Sequence, residues 1–160
     1  MTDEIAVPFV GPDIAVRDEW CDYNGHVNDS AYAVMCTAAN EAFLDYLGVS
    51  ADYLTRTGCT TYTVEAHLRF LAEVKAGARL TSETILIDAD TKRLRIHTTL
   101  FDQGNPVLTG EYLYLHMDQN QGKVAPFPDD RAAVLDTVKT SHAIMDFPAH
   151  IGRGVGAPRG

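Results

Sequence analysis

An α+β fold, with an antiparallel sheet wrapped round one long central helix, follows from three features of the 160-residue sequence. Residues 29 to 47 contain no Gly or Pro and are mostly apolar. Residues 60 to 117 break into four segments suited to strands, and turn residues separate most of them closely enough for hairpins.

The elements read in order. A short strand is expected near Ile14 to Arg17. The stretch Cys21-Asp22-Tyr23-Asn24-Gly25-His26-Val27-Asn28 then leads into the helix, with Asn28 placed to cap it and Val27 and Tyr32 spaced as a hydrophobic staple. Gly48 supplies the stop. Ala31, Tyr32, Val34, Met35, Ala38, Ala39, Ala42, Phe43, Tyr46 and Leu47 make the helix apolar on most sides, broken strongly only by Asn40, Glu41 and Asp45. A helix of roughly 28 Å with so little polar surface should be wrapped, and its alanines allow a sheet to come close. Thr60 to Leu71 alternates, with Tyr62, Val64, Ala66, Leu68 and Phe70 on one face and Thr63, Glu65, His67 and Arg69 on the other. Arg79 to Asp88, Arg93 to Phe101 and Val107 to Met117 follow, with turns at Asp88-Ala89-Asp90-Thr91 and Gln103-Gly104-Asn105-Pro106. Asp129 to Thr140 is expected as a short surface helix and Gly152 to Gly160 as a loose end. Residues 1–125 therefore read as one domain and 126–160 as a C-terminal extension.

The bulk composition narrows the class. At 46% hydrophobic, the chain suits a single domain burying roughly two-thirds of its unfolded surface. A net charge of −9 argues against nucleic acid as a partner. No apolar run reaches the roughly 20 residues that span a bilayer, and Met1 to Val10 lacks the pattern of a signal peptide. Cys21, Cys36 and Cys59 are odd in number and without paired spacing, so free thiols in a cytoplasmic compartment are expected. No glycine loop of the kinds that bind nucleotides is present.

The chemistry concentrates ahead of the helix. Free N–H groups at a helix start, with the Asp22 carboxylate beside them, make a place where a carbonyl can be polarised and attacked. Asp22, His26 and His67 have no spacing that demands a metal, and none is expected. His67 and His116, within strands, read as satisfied structural histidines.

The order of elements and the Asp-x-x-Gly of Asp22 to Gly25 resemble the hotdog-fold acyl-CoA thioesterases of the 4-hydroxybenzoyl-CoA type, over about residues 10 to 120. Four segments are similar to the betainyl-CoA thioesterases of carnitine breakdown, which occur alone or fused to carnitine dehydrogenase. They are Asp22 to His26, Tyr62 to Leu68, Asp90 to Leu94 and Glu111 to His116. The resemblance implies a hotdog fold and hydrolysis of a small acyl-CoA. CoA is then part of the substrate, with no separate cofactor, and the assembly is a homodimer or homotetramer. It assigns Asp22 to attack on the thioester or activation of water, and a backbone N–H near Asn28 or Asp29 to polarising the carbonyl. Gly25 would let the loop bend close to the acyl group.

Trp20, Tyr23, Asn24, His26, Tyr62 and Glu65 are the expected substrate contacts. Trp20 and Tyr23 flank the acid and suit a cationic acyl group, as cation–π partners. Glu65 either balances that charge or is a solvated residue paired with Arg69. Arg69, Lys75, Arg79, Lys92, Arg93 and Arg95 are the cations available for CoA phosphates. Three other readings stay open: a thioesterase for a neutral acyl group, a non-catalytic binder of acyl-CoA or a quaternary amine, and a hotdog enoyl-CoA hydratase. Asp22-x-Asn24-x-His26 faintly resembles the hydratase motif, without its proline and further residue between Asn and His.

Overall fold

The structure is a computed structural model describing residues 5–156. Strands β1 (Phe9–Val10) and β2 (Ile14–Ala15) lead through a short 3-10 helix, Asp18–Trp20, to helix α1 (Asp29–Tyr46). Helix α2 (Ala51–Thr57) precedes strands β3 (Cys59–Phe70), β4 (Arg79–Ala89), β5 (Arg93–Asp102), β6 (Asn105–Asp118) and β7 (Lys123–Val124). Helix α3 (Asp129–His142) comes last. The antiparallel sheet runs β1-β4-β5-β6-β3, with β2 also on β4 and β7 on β6.

Local chemistry explains the hairpins. At the β4–β5 turn the Asp90 carboxylate accepts the N–H groups of Lys92 and Arg93, at 2.8 and 2.9 Å. At the β5–β6 turn Gln103 and Gly104 both take left-handed conformations, φ 50° and 80°, the twist that joins two strands tightly.

Helix α1 lies on one face of the sheet. Its buried side carries Ala31, Tyr32, Met35, Cys36, Ala39, Asn40, Phe43 and Leu44. These join Leu80, Leu86, Leu94, Ile96, Leu100 and Leu108 from the strands in one core. The sheet wraps the helix as expected, but not its whole apolar circumference. Val34, Thr37, Ala38, Glu41 and Asp45 are exposed along one stripe, because one sheet covers only one side of a cylinder. Gly110 of β6 shows how close the approach is. A Cβ there would stand 2.6 Å from the Tyr112 ring and 3.4 Å from Cys36 Sγ. The one polar residue on the buried side is satisfied: Asn40 accepts from Thr98 Oγ1 at 2.7 Å and donates to Tyr114 OH at 3.0 Å.

A β-bulge in β3 corrects the simple alternation expected there. Thr63 faces Tyr114 across β6 but Glu65 faces Leu113, so Val64 is an extra residue. The two sides of the bulge are therefore out of phase. Thr63 shares the helix-side face with Tyr114, and Tyr62 moves to the outer face, where its hydroxyl accepts from Gln119 at 3.1 Å.

The region after residue 125 is also more integrated than a surface helix and loose end. Leu135, Val138 and His142 of α3 are buried. His142 Nδ1 accepts the Leu86 N–H and its Nε2 donates to the Ala6 carbonyl, each at 2.8 Å, so an imidazole fills a place at the sheet edge beyond the two-residue β1. Further on, His150 Nε2 lies 3.0 Å from His97 Nε2, and the Gly152 N–H donates to Glu111 at 2.8 Å. The last residues of the expected tail, 157–160, lie outside the described residues.

These two buried histidines set a pH dependence. Burial pushes His97 down to about 4 from 6.5, helped by His150 and Arg69 nearby. Burial also lowers His142, partly opposed by its bond to Ala6. The unfolded chain thus takes up protons before the folded one, and stability present above 6.5 is lost as pH falls toward 4. The melting temperature should accordingly fall between about pH 6.5 and about pH 5, and less so in His97→Asn. A Tm flat across that window in both proteins would contradict this account.

Candidate active site

The segment ahead of α1 is built by backbone pairing. Cys21 bridges to Val27 and His26 to Lys75, so residues 21–27 form a small loop lying on the link between β3 and β4. The Asp22 N–H donates to the His26 carbonyl at 2.8 Å and the Gly25 N–H to the Asp22 carbonyl at 3.0 Å. Gly25 has φ 77° and nothing within 4 Å of where a Cβ would sit. Its role is thus the left-handed turn itself, not clearance for a neighbour.

That turn aims two N–H groups at one carboxylate. Asp22 Oδ1 accepts from Asn24 N–H at 2.8 Å and His26 N–H at 3.2 Å, and Asn24 Nδ2 reaches Oδ2 at 3.4 Å. The His26 N–H, foremost, holds the Asp22 carboxyl below its ordinary 3.8, with the Asn24 bonds adding to it. Asp22 is a solvent-facing, ionised carboxylate at neutral pH.

The helix start carries the complementary group. Asn28 sits at the N-cap with φ −66° and ψ 147°, but its side chain makes no capping bond, which corrects the capping expectation. Asn28 N–H is spent on the Trp20 carbonyl at 2.8 Å, Ser30 N–H on the Asp29 side chain at 2.7 Å, and Ala31 N–H on the Asn28 carbonyl at 3.0 Å. Among the described residues, Asp29 N–H is the donor of this first turn left without an acceptor. Of the two expected oxyanion donors, Asn28 is already committed and Asp29 is not.

The other expected residues divide. His26 stays beside Asp22, and its Nε2 lies 3.4 Å from Glu73 Oε2. Trp20 is half-buried, with the Arg17 guanidinium carbon 5.1 Å over its ring, so one face already holds a cation. Tyr23 is 97% exposed. Tyr62 and Glu65 do not join the loop. Glu65 opposes Leu113, Leu113 opposes Arg95 and Arg95 opposes Asp88, a row on the sheet face away from α1. There Glu65 lines a cavity of about 350 Å³ with His67, Asp88, Arg95, Glu111 and Gly152. His116 is a satisfied structural histidine, bonded to Tyr53 OH and the Ala125 carbonyl at 2.9 Å each. No group of three or more metal-ligating side chains converges among the described residues.

Three residues near the loop carry no functional signal in the sequence. Glu73 lies in the short link after β3, where an acid reads as solvated. Tyr32 and Phe70 stack edge-to-face with ring centres 5.5 Å apart, and Tyr32 OH donates to the Ala72 carbonyl at 3.3 Å. In the sequence both fit packing positions, Tyr32 in the staple and Phe70 on an apolar strand face.

The model of the Thioesterase-like superfamily matches residues 16–135. A betainyl-CoA thioesterase of Pseudomonas aeruginosa is 34% identical over 145 residues, covering 89% of this chain and 91% of that protein. An L-carnitine dehydrogenase/betainyl-CoA thioesterase of Agrobacterium fabrum is 41% identical over 145 residues. There the match covers 90% of this chain, which spans only 30% of the relative's length. A hypothetical protein of Staphylococcus aureus, solved in complex with CoA, superposes with a TM-score of 0.85 at 22% identity, covering 98% of this chain and all of that one. The architecture is the hotdog fold. No helix among the described residues is long and apolar enough to cross a membrane.

The Asp22 geometry is directly measurable. In a carboxyl-detected NMR titration, Asp22 should have its midpoint below 3.8, and Asn24→Ala should move it upward. A midpoint above the ordinary value would contradict the described hydrogen bonds.

Proposed function

We propose that this chain, which belongs to the thioesterase-like superfamily, hydrolyses betainyl-CoA to betaine and CoA. The observation that carries the chemistry is the pairing of an ionised Asp22 with the uncommitted N–H of Asp29 across one short loop. The acyl group is supported by the names of the P. aeruginosa and A. fabrum relatives.

The reaction needs two things. The thioester carbonyl oxygen must find a donor as it gains negative charge, which the Asp29 N–H at the positive end of α1 supplies. The carbonyl carbon must meet a nucleophile. Asp22 either attacks it, forming a mixed anhydride and expelling the CoA thiolate before water opens the anhydride, or draws a proton from a water that attacks directly. A carboxylate held well ionised is a modest base but a ready nucleophile. A single turnover in oxygen-18 water separates the routes, since only direct attack leaves label in the Asp22 carboxylate.

Substitution tests the two groups separately. Asp22→Asn should lower turnover roughly 10²- to 10⁴-fold with little change in Tm. Asp29→Pro removes the N–H where a helix tolerates proline, following a residue already extended at ψ 147°. It should cost roughly 10²- to 10³-fold in kcat, while Asp29→Ala costs far less. Near-normal turnover in Asp29→Pro would remove the donor from the mechanism. The unaltered enzyme should also favour betainyl-CoA by at least about tenfold in kcat/KM over an isostere with tert-butyl in place of trimethylammonium.

The working form is read as a cytoplasmic homodimer. Among the described residues, strand β3 ends the sheet, paired only with β6, and Tyr62, Val64, Phe70 and Leu71 are exposed along that edge. An open edge of this length is a liability unless it is joined, and two β3 edges can continue one sheet through both copies. The Asp22 loop opens to solvent in one copy, so a partner would close the acyl pocket. Light scattering at micromolar concentration should give a dimer or tetramer. An active 17.5 kDa monomer would overturn the assembly.

A further inference from the structure

We infer that Glu73 is the carboxylate that selects a cationic acyl group at the Asp22 loop, an inference that rests on the betainyl-CoA reading above. A trimethylammonium group offers no N–H, so a site for it must combine a nearby negative charge with aromatic surface. Glu65 stands on the sheet face away from α1 and cannot supply that charge to the loop of its own subunit. Around the loop, three other acids are engaged. Asp22 is the reacting group, Glu19 pairs with Arg17 at 3.4 Å, and the Asp29 side chain holds Ser30 N–H.

Glu73 differs on each count. Its ion-pair partner is His26, at 3.4 Å, an imidazole that carries charge only when protonated. The Glu73 carboxyl is 79% exposed and stays open to a ligand. Its backbone is nonetheless fixed on both sides by residues entering α1. Tyr32 OH donates to the Ala72 carbonyl at 3.3 Å, and Val27 N–H donates to the Val74 carbonyl at 2.8 Å. The aromatic component lies in the same segment. Phe70, 53% exposed, is held edge-to-face by Tyr32 at 5.5 Å. One five-residue stretch, Phe70 to Val74, thus carries an aromatic ring held by Tyr32 of the first helical turn and a carboxylate beside His26 of the Asp22 loop.

The test reads a ratio. Glu73→Gln should lower kcat/KM for betainyl-CoA about tenfold more than for the tert-butyl isostere, equivalent to about 1.4 kcal/mol of selectivity. Glu73→Asp should restore part of the preference. Because the charge is exposed, the preference of the unaltered enzyme should also shrink as ionic strength rises. An unchanged ratio in Glu73→Gln, an equal loss on both substrates, or a ratio that collapses in Glu65→Gln instead would each overturn the assignment. An unaltered enzyme that hydrolyses both thioesters without preference would overturn the betainyl reading and the Glu73 role together. One that hydrolyses neither would overturn the thioesterase reading itself.

Discussion

The geometry of the site depends on how the chain enters α1. Two backbone hydrogen bonds fix that entry: Val27 N–H to the Val74 carbonyl and Asn28 N–H to the Trp20 carbonyl, each 2.8 Å. They tie the helix start to the β3–β4 link on one side and to the 3-10 helix on the other. With Asn28 committed this way, its side chain is not needed as a cap, and the first unspent donor moves one residue along to Asp29. The same clamp closes residues 21–27 into a loop tight enough for the Asn24 and His26 N–H groups to converge on the Asp22 carboxylate. The geometry proposed for catalysis is a by-product of satisfying backbone donors at a helix end.

The remaining architecture serves to hold that helix in place. Gly110 lets α1 come down onto β6, and Asn40 ties its middle to Thr98 and Tyr114 in the core. Burying an amide this completely is costly unless both ends are bonded, and both are. The network therefore specifies one rotation of the helix about its axis. Only that rotation puts Met35, Cys36, Ala39 and Phe43 against the sheet and leaves the stripe from Val34 to Asp45 outside. Apolar content beyond what one sheet covers, together with the open β3 edge, gives the chain surfaces that a second copy can use.

Much of this was legible in the sequence because it is written in periodicity. The α1 segment, free of Gly and Pro, and the four strands were found within a few residues of their bounds, and Asp22 and Gly25 stood out as an acid and a turn residue ahead of a helix. What was missed depends on pairing between distant segments. Perfect alternation from Thr60 to Leu71 conceals the extra residue at Val64, since a bulge is decided by the register against β6. That one residue carried Tyr62 to the wrong face in the sequence reading. Helix α2 is seven residues of mixed polarity, too short for a period, although Gly58 at φ 72° was a readable stop. The burial of α3 was closer to readable, for Leu135, Val138 and His142 recur on one helical face. The proximity of Glu73 to His26 had no signal of any kind.

Charge placement resolves an apparent conflict between an acidic chain and a polyanionic substrate. Most arginines suggested for CoA phosphates already have partners: Arg93 pairs with Asp90 at 2.6 Å, Arg79 with Asp13 at 3.5 Å and Arg95 with Glu111 at 3.6 Å. These pairs stitch strands and turns. Lys75 is different. It bridges to His26 through the backbone and forms no ion pair among the described residues. The loop region therefore offers a cation at Lys75 and an anion at Glu73, two residues apart in one fixed link. A substrate with a negative CoA portion and a positive acyl end has the matching polarity. Net charge, summed over the molecule, says nothing about that local dipole, and the local dipole is what the proposed thioester would meet.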